Sequence, residues 1–496
     1  MINRRAYFIP FRIFNIQRRP LNSSWQTSIE QLCSRGSQKA RDENTPILVS
    51  ASFPLAEALE KPLLGLLAHE NGFRFYWERP NSLFAIAASG IAQSFQAEGP
   101  SRFEEVNRHL STAIAAAEME STTEAGVGEL CAVGGFSFFE RLETEEWPGF
   151  LPAQLIIPRW MVTQQKEGIT GRVTRQLRPT DDPEKFAREI ITATEELQAL
   201  FQATLEGAEA ATLASGTASP PPLEIQQNTL QHTHWINMVR TALEEIRSQR
   251  LQKVVLARME RVTFNTPPAI LSILGQLRKT YPDCVEFLFD PGAGQSFLGA
   301  TPERLVEMKN GQFKLEALAG TAARGSDPTQ DEQIGQKLLA EHKEQQEHQF
   351  VVDGIMRTIG ELGRVERPAA PTLTRYNNVQ HLSTPITLHP DHPISLLKLV
   401  ELLHPTAAVG GHPSPEALAW IRAHEDFCRG WYAAPIGWIN ASGEGEFAVA
   451  LRSGKFTGKS AGLFAGGGIV ADSDPEREFQ ETELKLKPML TACANG

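Results

Sequence analysis

The stretch Phe464-Ala-Gly-Gly-Gly-Ile-Val470 places three consecutive glycines inside a segment that otherwise has the composition of a β-strand. Glycine weakens a strand, and inside one it often marks close approach by a ligand or by another backbone. The GxGxxG spacing of a dinucleotide-binding loop is absent, so the glycines do not indicate that kind of site. Leu318-Ala-Gly-Thr321 is a second place where the sequence predicts such an approach.

Two predicted helices, over residues 334–359 and 475–490, each carry two glutamates three residues apart. The pairs are Glu344 with Glu347 and Glu478 with Glu481. Residues three apart lie on one face of a helix. Two such pairs could converge on Mg²⁺, which prefers oxygen ligands and often takes one or two protein carboxylates. Taken alone, either pair is more typical of a solvated helix face.

Three basic residues are candidates for chemistry or for anion binding. Lys253 immediately precedes the apolar run Val254-Val-Leu256, where burial would lower the pKa of a lysine and make it a base near neutral pH. Arg452, on a predicted strand, and Lys485, one turn after Glu481, are candidates for binding substrate carboxylates. The local sequence alone is more typical of an exposed strand-edge lysine at position 253, and Arg452 and Lys485 could each be an ordinary surface cation.

The composition excludes several classes of protein. The 496 residues are 41% hydrophobic and 22% charged, which is typical of a large globular chain. The formal net charge of -11 argues against a partner of nucleic acid, although a local basic cluster can still bind an anionic substrate. No apolar run approaches the roughly 18 residues that span a bilayer, so we expect a soluble protein with no membrane partner. Five scattered cysteines without a CxxC motif indicate a reducing compartment.

The amino terminus differs from the rest of the chain. Its first 29 residues hold five arginines and no acid before Glu30. This composition resembles an organellar transit peptide, but Ser and Thr are only modestly enriched, which favours a disordered or non-native start. We therefore predict a flexible basic segment over residues 1–45. We expect the protein in the cytoplasm, or in a plastid if the segment is a transit peptide.

A second change of composition occurs at residues 206–222, which are rich in Ala, Gly, Ser and Thr and close with three prolines. Such a segment is typical of a linker. On its amino-terminal side, residues 46–205 have short strand patterns followed by a helical one. On its carboxy-terminal side, residues 223–490 alternate strands and helices and contain most of the candidate chemistry. Sequence alone would divide the chain at this linker.

Several motifs occur in the order in which they occur in one known family, and the chain therefore resembles the chorismate-utilising enzymes. That family includes isochorismate, salicylate, anthranilate and aminodeoxychorismate synthases. The resemblance covers roughly residues 230–490, and Phe75-Tyr-Trp77 more loosely resembles the menaquinone- and phylloquinone-pathway isochorismate synthases. The motifs are Phe297-Leu-Gly-Ala-Thr-Pro-Glu-Arg304, Leu318-Ala-Gly-Thr321, His404-Pro-Thr406, Gly437-Trp438 and Ala465-Gly-Gly-Gly-Ile-Val470 followed by Glu481-Thr-Glu-Leu-Lys485.

The resemblance implies a role for each candidate residue. It implies that Lys253 is the general base that activates water and that Glu303 is the general acid. The implied cofactor is Mg²⁺ and the implied substrate is chorismate. Implied metal-site residues are Glu347 and Glu481 as ligands, with Glu344 and Glu478 nearby. Implied substrate-binding residues are Arg452, Lys485, Gly466, Gly320, Thr321, His381, Thr384 and Tyr432.

Within the family, the motifs favour an isochorismate synthase, which moves a hydroxyl around the chorismate ring. Anthranilate synthases typically have glutamine at the position of Lys253, and aminodeoxychorismate synthases carry a nucleophilic lysine where this chain has Ala319. Water is therefore the expected nucleophile, and no glutamine amidotransferase subunit is expected. Salicylate synthase is the alternative, since it makes isochorismate before eliminating pyruvate. The third alternative is a catalytically silent relative that acts as a binding or regulatory protein. The intact set of candidate residues argues against it.

The resemblance also implies the architecture. We expect an α/β (α+β) fold in which residues 46–496 form a single large domain of two stacked, mostly antiparallel β-sheets flanked by helices. In that arrangement residues 206–222 would be a surface loop inside the domain.

Overall fold

The computed structural model describes residues 23–57, 63–68, 70–121, 129–142, 145–213, 223–225, 229–292, 294–376 and 379–496. None of the helices within these ranges is both long enough and apolar enough to cross a membrane. The helices are α1 (Ser23–Glu43), α2 (Arg102–Ala116), α3 (Pro183–Leu213), α4 (Thr229–Arg247), α5 (Ile270–Thr280), α6 (Pro328–Ala340), α7 (His342–Ile359), α8 (Leu396–Leu403), α9 (Ser414–His424) and α10 (Pro475–Asn495).

The strands outnumber the helices about two to one. They are β1 (Ile47–Ala56), β2 (Arg74–Arg79), β3 (Phe84–Ala97), β4 (Glu118–Ser121), β5 (Cys131–Phe136), β6 (Ala153–Gln165), β7 (Gly168–Leu177), β8 (Leu223–Ile225), β9 (Lys253–Phe264), β10 (Val285–Gly292), β11 (Gln295–Thr301), β12 (Arg304–Lys309), β13 (Gln312–Ala323), β14 (Gly363–Glu366), β15 (Thr372–Arg375), β16 (Val379–Pro390), β17 (Gly411–His412), β18 (Pro435–Asn440), β19 (Gly445–Val449), β20 (Ser453–Thr457) and β21 (Ser460–Ile469).

The two long strands β3 and β6 join two layers of sheet. They pair antiparallel from Ala85 opposite Gln164 to Ala97 opposite Ala153. The far edge of β6 then serves both layers, because its second half pairs with β7 and its first half with β5. One layer has the order β4-β1-β7-β6-β3-β2-β10-β11-β20-β21-β9, and the other runs β6-β5-β18-β19-β12-β13-β16.

This topology confirms the predicted mostly antiparallel α/β fold, since the pairing of β1 with β4 is the one parallel contact among the described strands. The two sheets are not separate, however. Backbone hydrogen bonds join them into one network of 21 described strands. Sequence patterns show which face of a strand is apolar, but they do not show that one strand pairs in two layers.

Both faces of the first layer are buried, because successive side chains along a strand point to opposite faces and enter two different cores. Phe75 and Trp77 of β2 enter the core shared by the two layers, whereas Tyr76 between them faces α1, α3, α5 and α10. Full burial of such aromatic side chains contributes about 1.5–3 kcal/mol each. The catalytic candidates on β9 and β21 therefore lie on a rigid layer that is packed from both sides.

The ends of several predicted segments differ from the structure. Helix α1 occupies part of the segment predicted to be flexible, and Trp25, Ile29 and Leu32 are buried in the core. Residues 1–22 lie outside the described residues. Helix α3 continues through residue 213, so the predicted linker begins helical, and its remainder at 214–222 lies outside the described residues. The domain boundaries at 46, 206 and 223 stay predictions.

The helix predicted over residues 334–359 is interrupted. Glu341 has the extended torsion angles φ -78° and ψ 117°, and it ends α6 and begins α7. No glycine or proline occurs between Gln336 and Val352 to signal such a break. The break matters for the site because it sets the direction of α7, which carries Glu344 and Glu347.

A buried ion-pair cluster links the amino-terminal half to the catalytic half. Glu446 of β19 is 4% exposed and accepts hydrogen bonds from Arg79, at the end of β2, and from Arg304, at the start of β12. Burial alone would raise the pKa of Glu446, but the two guanidinium groups outweigh it and lower that pKa. The carboxylate is therefore ionised near neutral pH and pairs with both arginines, of which Arg304 also pairs with Glu307.

We predict that Glu446→Ala lowers the free energy of unfolding by roughly 3 kcal/mol at pH 7, because it leaves two arginines without their buried counterion. Denaturant unfolding measures the change. Glu366→Ala removes an exposed partner of Arg364 and serves as the control, with a much smaller expected change because solvent screens that pair. Equal losses in the two variants would show that the buried cluster contributes no more than a surface pair.

Candidate active site

The glycine-rich strand β21 runs antiparallel to β9, and the two strands bring Lys253 and Gly468 together. Lys253 is the first residue of β9 and is fully buried. Its Nζ lies 3.0 Å from Oε1 of Glu347 on α7, as an ion pair. A Cβ added to Gly468 would lie 2.3 Å from that oxygen and 2.9 Å from Lys253 Cε. The predicted close approach thus exists, and these two side chains make it.

A cleft opens between the β9–β21 layer and helices α7 and α10. Most of the predicted site residues line it, namely Glu303, Glu347, Glu481, Arg452, Lys485, Gly466, Gly320, Thr321, His381 and Tyr432. The remaining four do not line it directly, and these are Lys253, Glu344, Glu478 and Thr384. Of those four, Lys253 contacts a lining carboxylate, and Glu344 accepts a hydrogen bond from the backbone N–H of Thr321 at 3.0 Å.

Glu303 follows the end of β11, where Thr301 holds the turn. The Thr301 hydroxyl donates to the Val449 carbonyl at 2.6 Å, and the backbone N–H of Glu303 donates to the same hydroxyl oxygen at 3.2 Å. The Glu303 residue is 7% exposed, and burial raises its pKa to about 7. A carboxyl group with that pKa is partly protonated at neutral pH, which is what a general acid needs.

Helix α7 carries Glu344 and Glu347, helix α10 carries Glu478 and Glu481, and the two helices place these four carboxylates close to one another. Burial, followed by the charge of Glu347, raises the pKa of Glu344 to about 7. Burial and then Glu481 raise the pKa of Glu478, which accepts a hydrogen bond from Lys343 at 2.9 Å. The carboxylates therefore repel one another, and an added cation would relieve that repulsion.

The chemistry of this donor set fits a hard divalent cation that retains several waters. Among the described residues, no group of three aspartate, glutamate, histidine or cysteine side chains is arranged to hold a metal by itself. Mg²⁺ often uses only one or two protein carboxylates and takes its other ligands from substrate and water. Glu347 and Glu481 both line the cleft and are the residues that would supply such ligands.

Two basic side chains face the same cleft from other elements. Arg452 adopts a left-handed backbone conformation with φ +48°, which is uncommon for a residue with a side chain. Within the described part of the chain its guanidinium has no hydrogen-bond or ion-pair partner, so it is available to an anion. Lys485 Nζ donates to the Gly466 carbonyl at 2.9 Å and pairs with Glu481 at 2.5 Å.

The β13–β16 pair contributes a neutral histidine. Burial lowers the pKa of His381 to about 3, and the cations Arg452 and Lys485 act in the same direction. Its Nδ1 lies 3.2 Å from the Gly320 carbonyl and 3.1 Å from the Thr321 hydroxyl. Thr384 faces elsewhere, since its hydroxyl contacts Nε2 of buried His348 at 2.8 Å.

Sequence reasoning missed two residues at the cleft wall, Glu425 and Arg429. Arg429 lines the cleft and is 1% exposed, and Glu425 pairs with it at 2.5 Å. Their spacing of four residues on the turn after α9 resembles any solvated i,i+4 pair. Only the packing of β9 against that turn distinguishes them, and a single sequence carries no signal of it.

Comparison with known proteins identifies the family of this chain. A family model described as "Chorismate binding enzyme" matches residues 35–494. The chain therefore belongs to the chorismate-binding enzyme family.

Two relatives match over nearly the whole chain. It is 34% identical over 474 residues to "Isochorismate synthase MenF" of Bacillus subtilis (strain 168), which spans 92% of this chain and 95% of the relative. It is 36% identical over 461 residues to "Salicylate biosynthesis isochorismate synthase" of Pseudomonas aeruginosa, which spans 92% of both. The solved structure of MenF, the menaquinone-specific isochorismate synthase of Escherichia coli, superposes with a TM-score of 0.72 and 27% identity over 95% of this chain and 100% of that one.

The raised pKa of Glu303 has a consequence for stability. The ionised form is disfavoured in the folded state, so the stability of the wild-type protein falls as pH rises from the unfolded pKa near 4.3 through about 7. We predict that Glu303→Gln removes this loss and gains roughly 2–3 kcal/mol relative to wild type between pH 5 and pH 9. Denaturant unfolding of both proteins at the two pH values gives the double difference. A double difference of zero would mean that Glu303 is solvated.

Proposed function

We propose that this protein is an isochorismate synthase that converts chorismate to isochorismate. The observation that carries the proposal is the pairing of a fully buried lysine with a cleft carboxylate, Lys253 with Glu347, beside a buried acid, Glu303, whose pKa is about 7. The names of the relatives from Bacillus subtilis and Pseudomonas aeruginosa support the same reaction.

In the proposed reaction, water adds at C2 of the ring while the C4 hydroxyl leaves and the double bonds shift. Lys253 accepts a proton from the attacking water in its neutral amine form, and Glu303 donates a proton to the departing hydroxyl, which leaves as water. Transfer of one proton from the Lys253 ammonium back to the Glu303 carboxylate then restores both groups. Substrate and product are isomers, so the protons balance. Each positioned proton transfer accelerates such a reaction by about 10²–10⁴. The buried position of both groups keeps other water from competing.

The substrate carries carboxylates, and the cleft offers partners for them. We propose that Arg452, Lys485 and the backbone at Gly466 bind one carboxylate, which the unpaired guanidinium of Arg452 supports. Gly320, Thr321, His381 and Tyr432 position the ring in this proposal, because they line the same cleft. Thr384 would act only through His348, because its hydroxyl contacts that residue instead of the cleft.

We propose Mg²⁺ as the cofactor, with Glu347 and Glu481 as its ligands and Glu344 and Glu478 nearby. When bound, it would neutralise a substrate carboxylate and orient the ring. Burial and then the charge of a neighbouring carboxylate raise the pKa values of Glu344 and Glu478, and the second of these causes supports a cation at this place. We also propose that no glutamine amidotransferase subunit is needed and that the enzyme is cytoplasmic, and the five scattered cysteines without a CxxC motif support the second proposal.

The test of the proposed function is incubation of the purified protein with chorismate and MgCl₂, with and without EDTA, followed by chromatography and mass analysis. Isochorismate alone, lost with EDTA, supports the proposal. Salicylate together with pyruvate would assign the chain to the salicylate synthases. No product, even with ammonia added, would identify a catalytically silent relative.

For the base, we predict that Lys253→Ala lowers kcat by about 10²–10⁴, because it removes the positioned group that accepts the proton from water. Lys253→Met keeps the aliphatic stem and separates lost chemistry from lost packing. Mg²⁺ binding, measured by calorimetry, should persist in both variants. Turnover that matches wild type in either variant would remove Lys253 from the base role.

For the metal site, we predict that Glu481→Gln raises the MgCl₂ concentration needed for half-maximal turnover by at least tenfold, because a neutral amide is a weaker ligand. Calorimetric titration with Mg²⁺ gives a readout that is independent of turnover. Glu476→Gln, on the exposed side of the same helix and paired with His232, is the matched control. An unchanged magnesium dependence in Glu481→Gln places the cation elsewhere.

A further inference from the structure

Along part of one edge of β9, the backbone forms hydrogen bonds with side chains instead of with a neighbouring strand. Its inner edge pairs continuously with β21 from Val254 to Thr263. Its outer edge pairs with β17 only at Lys253 and Val254, and with β8 only from Val262 onward. Between these two pairings the outer edge passes along the cleft wall. Exposed strand edges are free to shift unless something pairs with them.

The side chains that occupy this gap are Arg429 and Glu425. Nη2 of Arg429 donates to the Val255 carbonyl at 2.7 Å, and the Glu425 carboxylate accepts from the backbone N–H of Ala257 at 2.8 Å. They bind each other through two further hydrogen bonds, at 2.7 and 2.5 Å. Their side chains are 1% and 3% exposed. The ion pair thus continues the hydrogen-bond ladder of the strand edge.

Arg429 also ties this edge to the loop that follows α8. Its Nη1 donates to the Val409 carbonyl at 2.9 Å, and the backbone N–H of Val255 donates to the neighbouring Gly410 carbonyl at 3.0 Å. The guanidinium lies 4.3 Å from the centre of the Phe138 ring, which covers it. Val255, Ala257 and Val409 all line the cleft.

A buried ion pair contributes little net stability, because desolvation of both charges offsets most of their attraction. This pair, however, holds three backbone groups of the cleft wall in fixed positions. Lys253 precedes the first of them by two residues, so its side chain lies on the same face of β9 as that of Val255. Any movement of the strand edge would therefore move the lysine amine relative to Glu347.

We propose that Arg429 and Glu425 are positioning residues that fix Lys253 and the cleft wall for catalysis. The proposal rests on the proposed function of Lys253 as the base. It requires the planar fork of arginine, since three of its nitrogens bind in three directions, and lysine cannot reproduce that geometry.

Arg429→Lys and Glu425→Gln test the proposal by steady-state kinetics with chorismate. We expect Arg429→Lys to lower kcat by about 10–100-fold with less than threefold change in KM, because a displacement near 1 Å costs about that much. Glu425→Gln keeps an acceptor for the Ala257 N–H and should lose less. Wild-type kcat in both folded variants would overturn the proposal, as would a loss that falls mainly on KM.

The matched control is Arg422→Lys. Arg422 also binds a glutamate through two hydrogen bonds, at 3.0 and 2.9 Å to Glu140, and also lies over a phenylalanine, 4.5 Å from the ring centre of Phe139. Its side chain is 56% exposed and lies outside the cleft. We expect wild-type kcat and KM for this variant, and a loss equal to that of Arg429→Lys would overturn the proposal.

Hydrogen exchange on the wild-type enzyme keeps the proposal falsifiable if the variants fail to fold. We expect the Ala257 amide to be protected as well as the amides of β9 that pair with β21, and rapid exchange there would overturn the proposal. If wild-type enzyme makes no isochorismate, the proposed function fails, whereas active wild-type enzyme with fully active Arg429→Lys and Glu425→Gln refutes the positioning role alone.

Discussion

The burial of Lys253 against Glu347 is the constraint on which the rest of the cleft depends. An ion pair that is removed from bulk water costs several kcal/mol in desolvation for each charge, and only good geometry and further partners offset that cost. Glycine at position 468 leaves the space in which the two side chains meet. The pairing of β9 with β21 along one edge fixes the register of the two strands, and with it the position of the lysine.

The same electrostatic requirement organises the two helices across the cleft. Lysines 343 and 485 each hold one carboxylate of α10, so positive and negative groups alternate across the cleft. Glu303 lies outside these lysine pairs, and burial raises its pKa to about 7, the value to which burial and Glu347 raise the pKa of Glu344. Burial acts to raise the pKa of Glu481, but Lys485 outweighs it and lowers that pKa. One cleft therefore contains an ionised carboxylate and, at Glu303, a carboxyl group that is partly protonated near neutral pH, because their surroundings differ.

Residue spacing predicted those parts of the site that depend on local geometry. The two glutamate pairs lie on helices, the glycines of β21 do permit a close approach, and Lys253 does begin a buried strand. The break at Glu341, the position of Thr384 away from the cleft and the pairing of Arg429 with the β9 edge depend on contacts between residues far apart in sequence. Such contacts leave no periodic trace in a single chain, so only the folded structure reveals them.

The way in which β3 and β6 serve both layers also bears on how such a chain can evolve. Strands of the amino-terminal half pair with strands of the other half at two seams, β2 with β10 and β5 with β18. A gene rearrangement that exchanged residues 46–205 as a block would have to match the register of both seams at once. A chain without that block would expose two long apolar strand edges to aggregation. The two halves are therefore expected to be inherited together, although composition alone would divide them.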